Sequence, residues 1–229
     1  LSADLISKNG FDHGTQMASL AIAANLNVNI VFVRIIGINR QGYRQASGEA
    51  TVYNALDWVI RNKERFNIQA VSMSQGHHSL GAPGTDYCPK TPITESKINN
   101  LLSAGIPVFF AAGNIGDYTR IDWPACIPSS IAIGSTMPTK SVAPYTNYDS
   151  KLIDFFALGT TKATLPGGKS IPVAGTSAST VIAATQWATI KSFKPQLSYT
   201  QIYELIARTA IISSNSKIKD AKLINLEGA

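Results

Sequence analysis

No apolar run in this chain approaches the roughly 20 residues needed to cross a bilayer, so no membrane-spanning helix is expected. The opening Leu1-Ser2-Ala3-Asp4 has neither the basic nor the apolar region of a signal peptide and no initiator Met, and residue 1 is read as a processed or excised end. Charge is sparse: 20 basic and 14 acidic residues leave a net +6, but no Lys/Arg run is interleaved with aromatics, which argues against nucleic-acid binding. No Gly-x-Gly-x-x-Gly follows a strand, which removes a dinucleotide-binding fold, and no Gly-x-Ser-x-Gly elbow occurs, which removes an α/β-hydrolase esterase. Cysteine is nearly absent. Cys88 and Cys126 lack the spacing of a zinc site, so they are either two buried free thiols or one disulfide; an even count in turn-rich sequence favours the disulfide and an oxidising compartment.

What is present is a 229-residue chain, 45% apolar and 15% charged, enough for one domain with a substantial core. Helical spacing predicts helices over 13–24, from Ser47 or Glu49 to about 65, over 93–104, from Ser177 to about Phe193, and from Ser198 or Tyr199 to Arg208. Apolar or β-rich runs predict strands at 30–36, 69–74, 106–112, 130–135 and 152–157, with a hairpin-like turn at 165–169 and an irregular C-terminal tail. Strands apolar on both faces and alternating with helices indicate a mostly parallel sheet covered on both sides, an α/β fold whose ligands sit at the carboxyl ends of the strands.

Three positions could carry chemistry. Gly175-Thr176-Ser177 leads straight into helix-compatible sequence, which puts a hydroxyl at a helix N-terminus; there it is either an ordinary cap or a nucleophile. His13 stands at a helix end beside Gly14, and an imidazole with a pKa near neutrality can take a proton from a serine and return it to a leaving amine. His77 and His78, in the Gly/Pro-rich stretch 76–92, are read as exposed or groove-lining. Asn114 follows a buried strand and Gly113, where its amide either supports a turn or points at a developing oxyanion.

The segments His13-Gly14-Thr15-x-x-Ala18-Ser19, Val71-Ser72-Met73-Ser74-Gln75-Gly76, Phe109-Phe110-Ala111-Ala112-Gly113-Asn114 and Gly175-Thr176-Ser177-x-Ser179 resemble the subtilisin-like serine peptidase family, in that family's chain order. Connectors at 123–125, 131–134, 154–159 and 221–225 extend the resemblance over roughly residues 11–229. It implies a three-layer subtilisin-like fold in a single domain, 1–229. It implies Ser177 as nucleophile, His13 as general base and acid, and Asn114 as oxyanion donor. Ser74, Gln75 and Gly76 would form the edge that pairs with extended peptide or protein substrates, and Ala111, Ala112 and Gly113 the wall of a side-chain pocket. A propeptide or upstream segment would be a further partner. Cysteines in the same connectors of some bacterial members strengthen the disulfide reading and an extracytoplasmic, secreted placement.

The resemblance is incomplete. The family's Asp-Ser/Thr-Gly motif, which carries the acid of the triad, does not occur here; Asp4 is a weak candidate and Asp12 a weaker one. The expectation is that the first strand and its Asp were removed from this chain, the alternative being a catalytically inactive member that keeps the groove as a peptide-binding or structural module. The usual Met and Pro of the serine motif are Ala178 and Val181, which leaves Ser177 in place. The turn at 25–29 is too short for the family's common calcium loop, so no cofactor is expected and no metal there, with room left for calcium elsewhere. Ile115 beside Asn114 argues against a basic substrate side chain, while Asp117 and Asp122 leave that question open.

Overall fold

The computed structural model describes residues 12–38, 44–45, 48–77 and 88–229. Helix α1 (His13–Ala24) buries Met17, Leu20 and Ala21, spaced three to four residues apart so that they share one face. The strand predicted at 30–36 does not form. Residues 28–36 form no helix or ladder, and only the two-residue strand β1 (Gly37–Ile38) pairs, antiparallel with β2 (Arg44–Gln45). A β-branched run supplies propensity, but a strand needs a partner for its main-chain groups. Here Phe32 is 64% exposed while Ile35 packs on the core.

Helix α2 (Glu49–Asn62) follows, burying Val52, Leu56 and Val59, then strand β3 (Val71–Met73) and helix α3 (Pro92–Ser103), which starts on a proline whose missing N–H would be unpaired there anyway. Strands β4 (Val108–Ala111), β5 (Ile131–Thr136) and β6 (Ile153–Leu158) come next, then a hairpin of β7 (Thr160–Thr164) and β8 (Ser170–Ala174) around the turn expected at 165–169. Helices α4 (Thr176–Phe193) and α5 (Tyr199–Thr209) lead to β9 (Ile211–Ser213) and β10 (Ala221–Leu223). A reciprocal capping box between Ser198 and Gln201 sets the start of α5.

The main sheet runs in the order β3-β4-β5-β6-β10-β9, parallel from β3 through β10, with β9 antiparallel at one edge. Alternation along β4 separates the layers. Val108 and Phe110 face the helices α2 and α3 through Leu56, Ile98 and Leu101, whereas Phe109 joins Ile131, Ile133 and Phe155 against Trp187 of α4 and Ile206 of α5. Each such fully buried Phe contributes about 1.5–3 kcal/mol. This is the three-layer, mostly parallel α/β architecture expected. The C-terminal tail departs from the expectation: β10 docks on β6 through Leu223 and Phe156, and three-residue strands are too short to show period-two patterning.

One covalent and one polar tie join segments distant in sequence. Cys88 and Cys126 form a disulfide with Cα atoms 5.8 Å apart, as the sequence favours. Asp154 on β6 accepts from Ala132 N of β5 at 2.8 Å and from the Tyr203 hydroxyl of α5 at 2.6 Å. Burial outweighs these two bonds and the Lys222 charge, so its carboxyl is pushed up to about 6.

Candidate active site

The carboxyl ends of β3 and β4 and the first turn of α4 meet at one cleft of about 230 Å³. Three residues that the sequence nominated for chemistry line it: His13 from α1, Asn114 after β4, and Ser177 from α4. Ser74, Gln75 and Gly76 border it on the side of β3, with Ala111 and Gly113 on the side of β4. Ala112 does not reach the cleft; it is fully buried and faces the α2 and α3 layer. Asp4 and His78 lie outside the described residues. Asp12 immediately precedes α1, its carbonyl accepting from Gln16 N at 2.9 Å. His77 is half-buried, stacked on Trp123, and does not line the cleft.

The serine is not a helix cap. Gly175 occupies the N-cap position and Ser177 is the second helical residue. Ser177 Oγ donates to the Ser74 carbonyl at 3.1 Å, and Ser74 Oγ donates to the Ser177 carbonyl at 2.8 Å. Edge strand and helix start are thus joined on both sides of the hydroxyl, at the positive end of an 18-residue helix.

Asn114 is oriented by Thr176, a residue the sequence did not single out. Its Oδ1 accepts from Thr176 N at 2.7 Å and from Thr176 Oγ1 at 3.0 Å, while Thr176 Oγ1 accepts from Gly113 N at 3.2 Å. Taking up Oδ1 in this way leaves Nδ2 as the amide's donor. Gly113 has φ +111°, and a Cβ there would overlap the Asn147 amide and the Asp122 carboxyl group. That glycine is required by both backbone and space. Asn147, wholly buried, accepts from Ile115 N and Asp117 N at 3.0 and 3.2 Å and donates to Asp122 Oδ1 at 2.9 Å. No periodicity or spacing marks Asn147; its role follows from where the loop at 144–147 folds back. Asp117 turns to the Arg120 guanidinium at 2.7 Å; burial pushes its carboxyl up, but the hydrogen bonds from Thr119 and Arg120 and the Arg120 charge together hold it below the usual range.

No group of three or more His, Cys, Asp or Glu stands close enough to hold a metal ion among the described residues, and no helix there is long and apolar enough to cross a membrane.

A mostly parallel sheet sandwiched by helices, with a helix-borne hydroxyl, an imidazole and an amide meeting at the carboxyl ends of its strands, is the architecture of the subtilisin-like α/β proteins. The chain belongs to the subtilase family, peptidase family S8, whose profile matches residues 4–229. It is 28% identical over 230 aligned positions to subtilisin J of Geobacillus stearothermophilus and, to the same degree, to subtilisin E of Bacillus subtilis strain 168. Each alignment covers 97% of this chain and 56% of the relative, so the chain spans little more than half the length of these relatives. Among solved structures, a cold-adapted subtilisin-like serine proteinase superposes with a TM-score of 0.72 at 24% identity, covering 92% of this chain and 73% of its own. A lanthipeptide protease superposes with a TM-score of 0.76 at 17% identity, covering 95% and 74%.

Proposed function

We propose that this chain is the catalytic body of a serine endopeptidase. The observation that carries the reading is the meeting, in one cleft, of His13, Asn114 and Ser177 with the Ser74–Gly76 edge, residues up to 164 positions apart in a family of peptidases. Ser177 Oγ attacks the peptide carbonyl while His13 takes its proton; the oxyanion is met by Asn114 Nδ2 and the Ser177 main-chain N–H. Collapse breaks the C–N bond as His13 returns the proton to the leaving amine, and water then releases the acyl group by the same route in reverse. The substrate is an extended peptide that pairs with the Ser74–Gly76 edge, so the main chain is read before the side chains. The disulfide fits a place outside the reducing cytoplasm, as in the reading of a secreted enzyme. No cofactor is needed for these steps.

One observation favours a second reading, a non-catalytic member that only binds peptides: Ser177 Oγ is engaged by the Ser74 carbonyl. A fluorophosphonate probe separates the two. Labelling of the full-length protein that is lost in Ser177→Ala supports the peptidase, and peptide binding without labelling supports the binding module.

A further inference from the structure

Asp122 belongs to no motif, yet the fold carries it into the cleft. Its N–H donates to the Ala112 carbonyl at 2.8 Å, and the next residue, Trp123, exchanges main-chain hydrogen bonds of 2.8 and 3.1 Å with His77. Residues 122–123 are therefore stitched between the wall after β4 and the edge after β3. The carboxyl group lies against two glycines: a Cβ built on Gly76 would stand 3.3 Å from Asp122 Oδ2, and one built on Gly113 would stand 2.6 Å from Oδ1. Any side chain at Gly113 would displace it. Asn147 holds Oδ1, and Asp122 lines the same cavity as Ser177 while remaining half-buried.

The remaining lining offers little to an apolar occupant. Among the described residues that line it, Ala111 is the only aliphatic side chain, and Ile115, which the sequence placed at the pocket, is 64% exposed and outside that lining. A carboxylate fixed in a recess of reduced dielectric attracts an ammonium or guanidinium group and repels an acidic one. We propose that Asp122 makes this pocket a receptor for a cationic side chain, so that peptides seated in the cleft carry Lys or Arg there. That the pocket holds the residue preceding a scissile bond rests on the peptidase reading; the binding preference does not.

The test reads binding without hydrolysis. Tetrapeptide amides identical except for a last residue of Arg, Lys, Leu or Glu are titrated by calorimetry into the full-length protein bearing Ser177→Ala. The Arg and Lys peptides are expected to bind about 10- to 100-fold more tightly than the Leu peptide, with Glu weakest, and the preference is expected to vanish in Asp122→Asn. That variant keeps an oxygen for Asn147, and an unchanged melting curve shows that it folds. Equal affinity for Arg and Leu peptides, or a preference that survives Asp122→Asn, overturns the proposal. Fluorophosphonate labelling of Ser177 alongside equal affinities would leave the peptidase reading standing; a preference lost in Asp122→Asn without labelling would retain the pocket and remove the peptidase.

Discussion

Ser177 and Ser74 hold one another across 103 residues of sequence: each side-chain hydroxyl donates to the other's carbonyl, at 3.1 and 2.8 Å. This double clasp joins the end of β3 to the first turn of α4 and fixes the hydroxyl relative to the edge on which a peptide would lie. The Ser74→Ala variant removes one of the two bonds and leaves the Ser74 carbonyl in place. It is expected to lose about 1 kcal/mol of stability in denaturant unfolding, and to label more slowly with fluorophosphonate because α4's first turn is less firmly placed.

Asn114 both receives hydrogen bonds from Thr176 and, in the proposed mechanism, donates one to the oxyanion. Two substitutions separate these roles. Asn114→Ala is expected to lower kcat by about 10²- to 10³-fold and to lower stability as well, since Thr176 N loses its acceptor. Asn114→Asp keeps that acceptor while replacing the donor with a negative charge. Its melting temperature should stay closer to that of the parent, with kcat falling at least as far and KM changing little.

The Cys88–Cys126 link closes a loop over a separation of 38 residues. In the chain-entropy description such a closure is worth about 4 kcal/mol. Replacing both cysteines by serine is expected to lower the unfolding free energy by up to that amount. Because Cys126 N donates to the Asp122 carbonyl at 3.1 Å, the same variant should also weaken any discrimination for basic peptides. Unfolding curves with and without reductant, set beside peptide titrations, check both effects.

Asp154 makes stability depend on pH in an unusual direction for a carboxyl group. Burial pushes it up to about 6 from 3.8, so the folded state holds its proton more readily than the unfolded chain. The resulting stabilisation is fully present below the unfolded value and is lost as pH rises through about 6. The difference between the two values corresponds to roughly 3 kcal/mol. Asp154→Asn can still face Ala132 N with its oxygen and the Tyr203 hydroxyl oxygen with its amide. The parent should gain stability from this group between pH 7.5 and pH 5; in Asp154→Asn that gain should be absent, as urea midpoints at the two pH values would show.

Much of the architecture is legible before any coordinates. Phe109 and Phe110 point to opposite helical layers because strand side chains alternate, and a run apolar at every position can only sit between two layers. The order of His13, Ser74–Gly76, Asn114 and Ser177 along the chain is likewise written in local motifs, and those positions line one cleft. The run at 30–36 misleads for an equally physical reason. Its residues have strand propensity, but main-chain pairing belongs to two segments, and the described fold gives this one no partner.

Sequence by itself determined the layered α/β class and the family, and nominated the residues around which chemistry would be organised, because these rest on local periodicity and on short motifs. Tertiary structure alone decided that Ser177 is clasped by Ser74 rather than serving as a cap, that Thr176 orients Asn114, that β10 completes the parallel sheet, and that Asp122 faces the cleft while Asp117 turns to Arg120. Each of these is a contact between segments distant in sequence or a choice between two nearby carboxylates. Such contacts depend on where the backbone returns, and neither composition nor spacing records that.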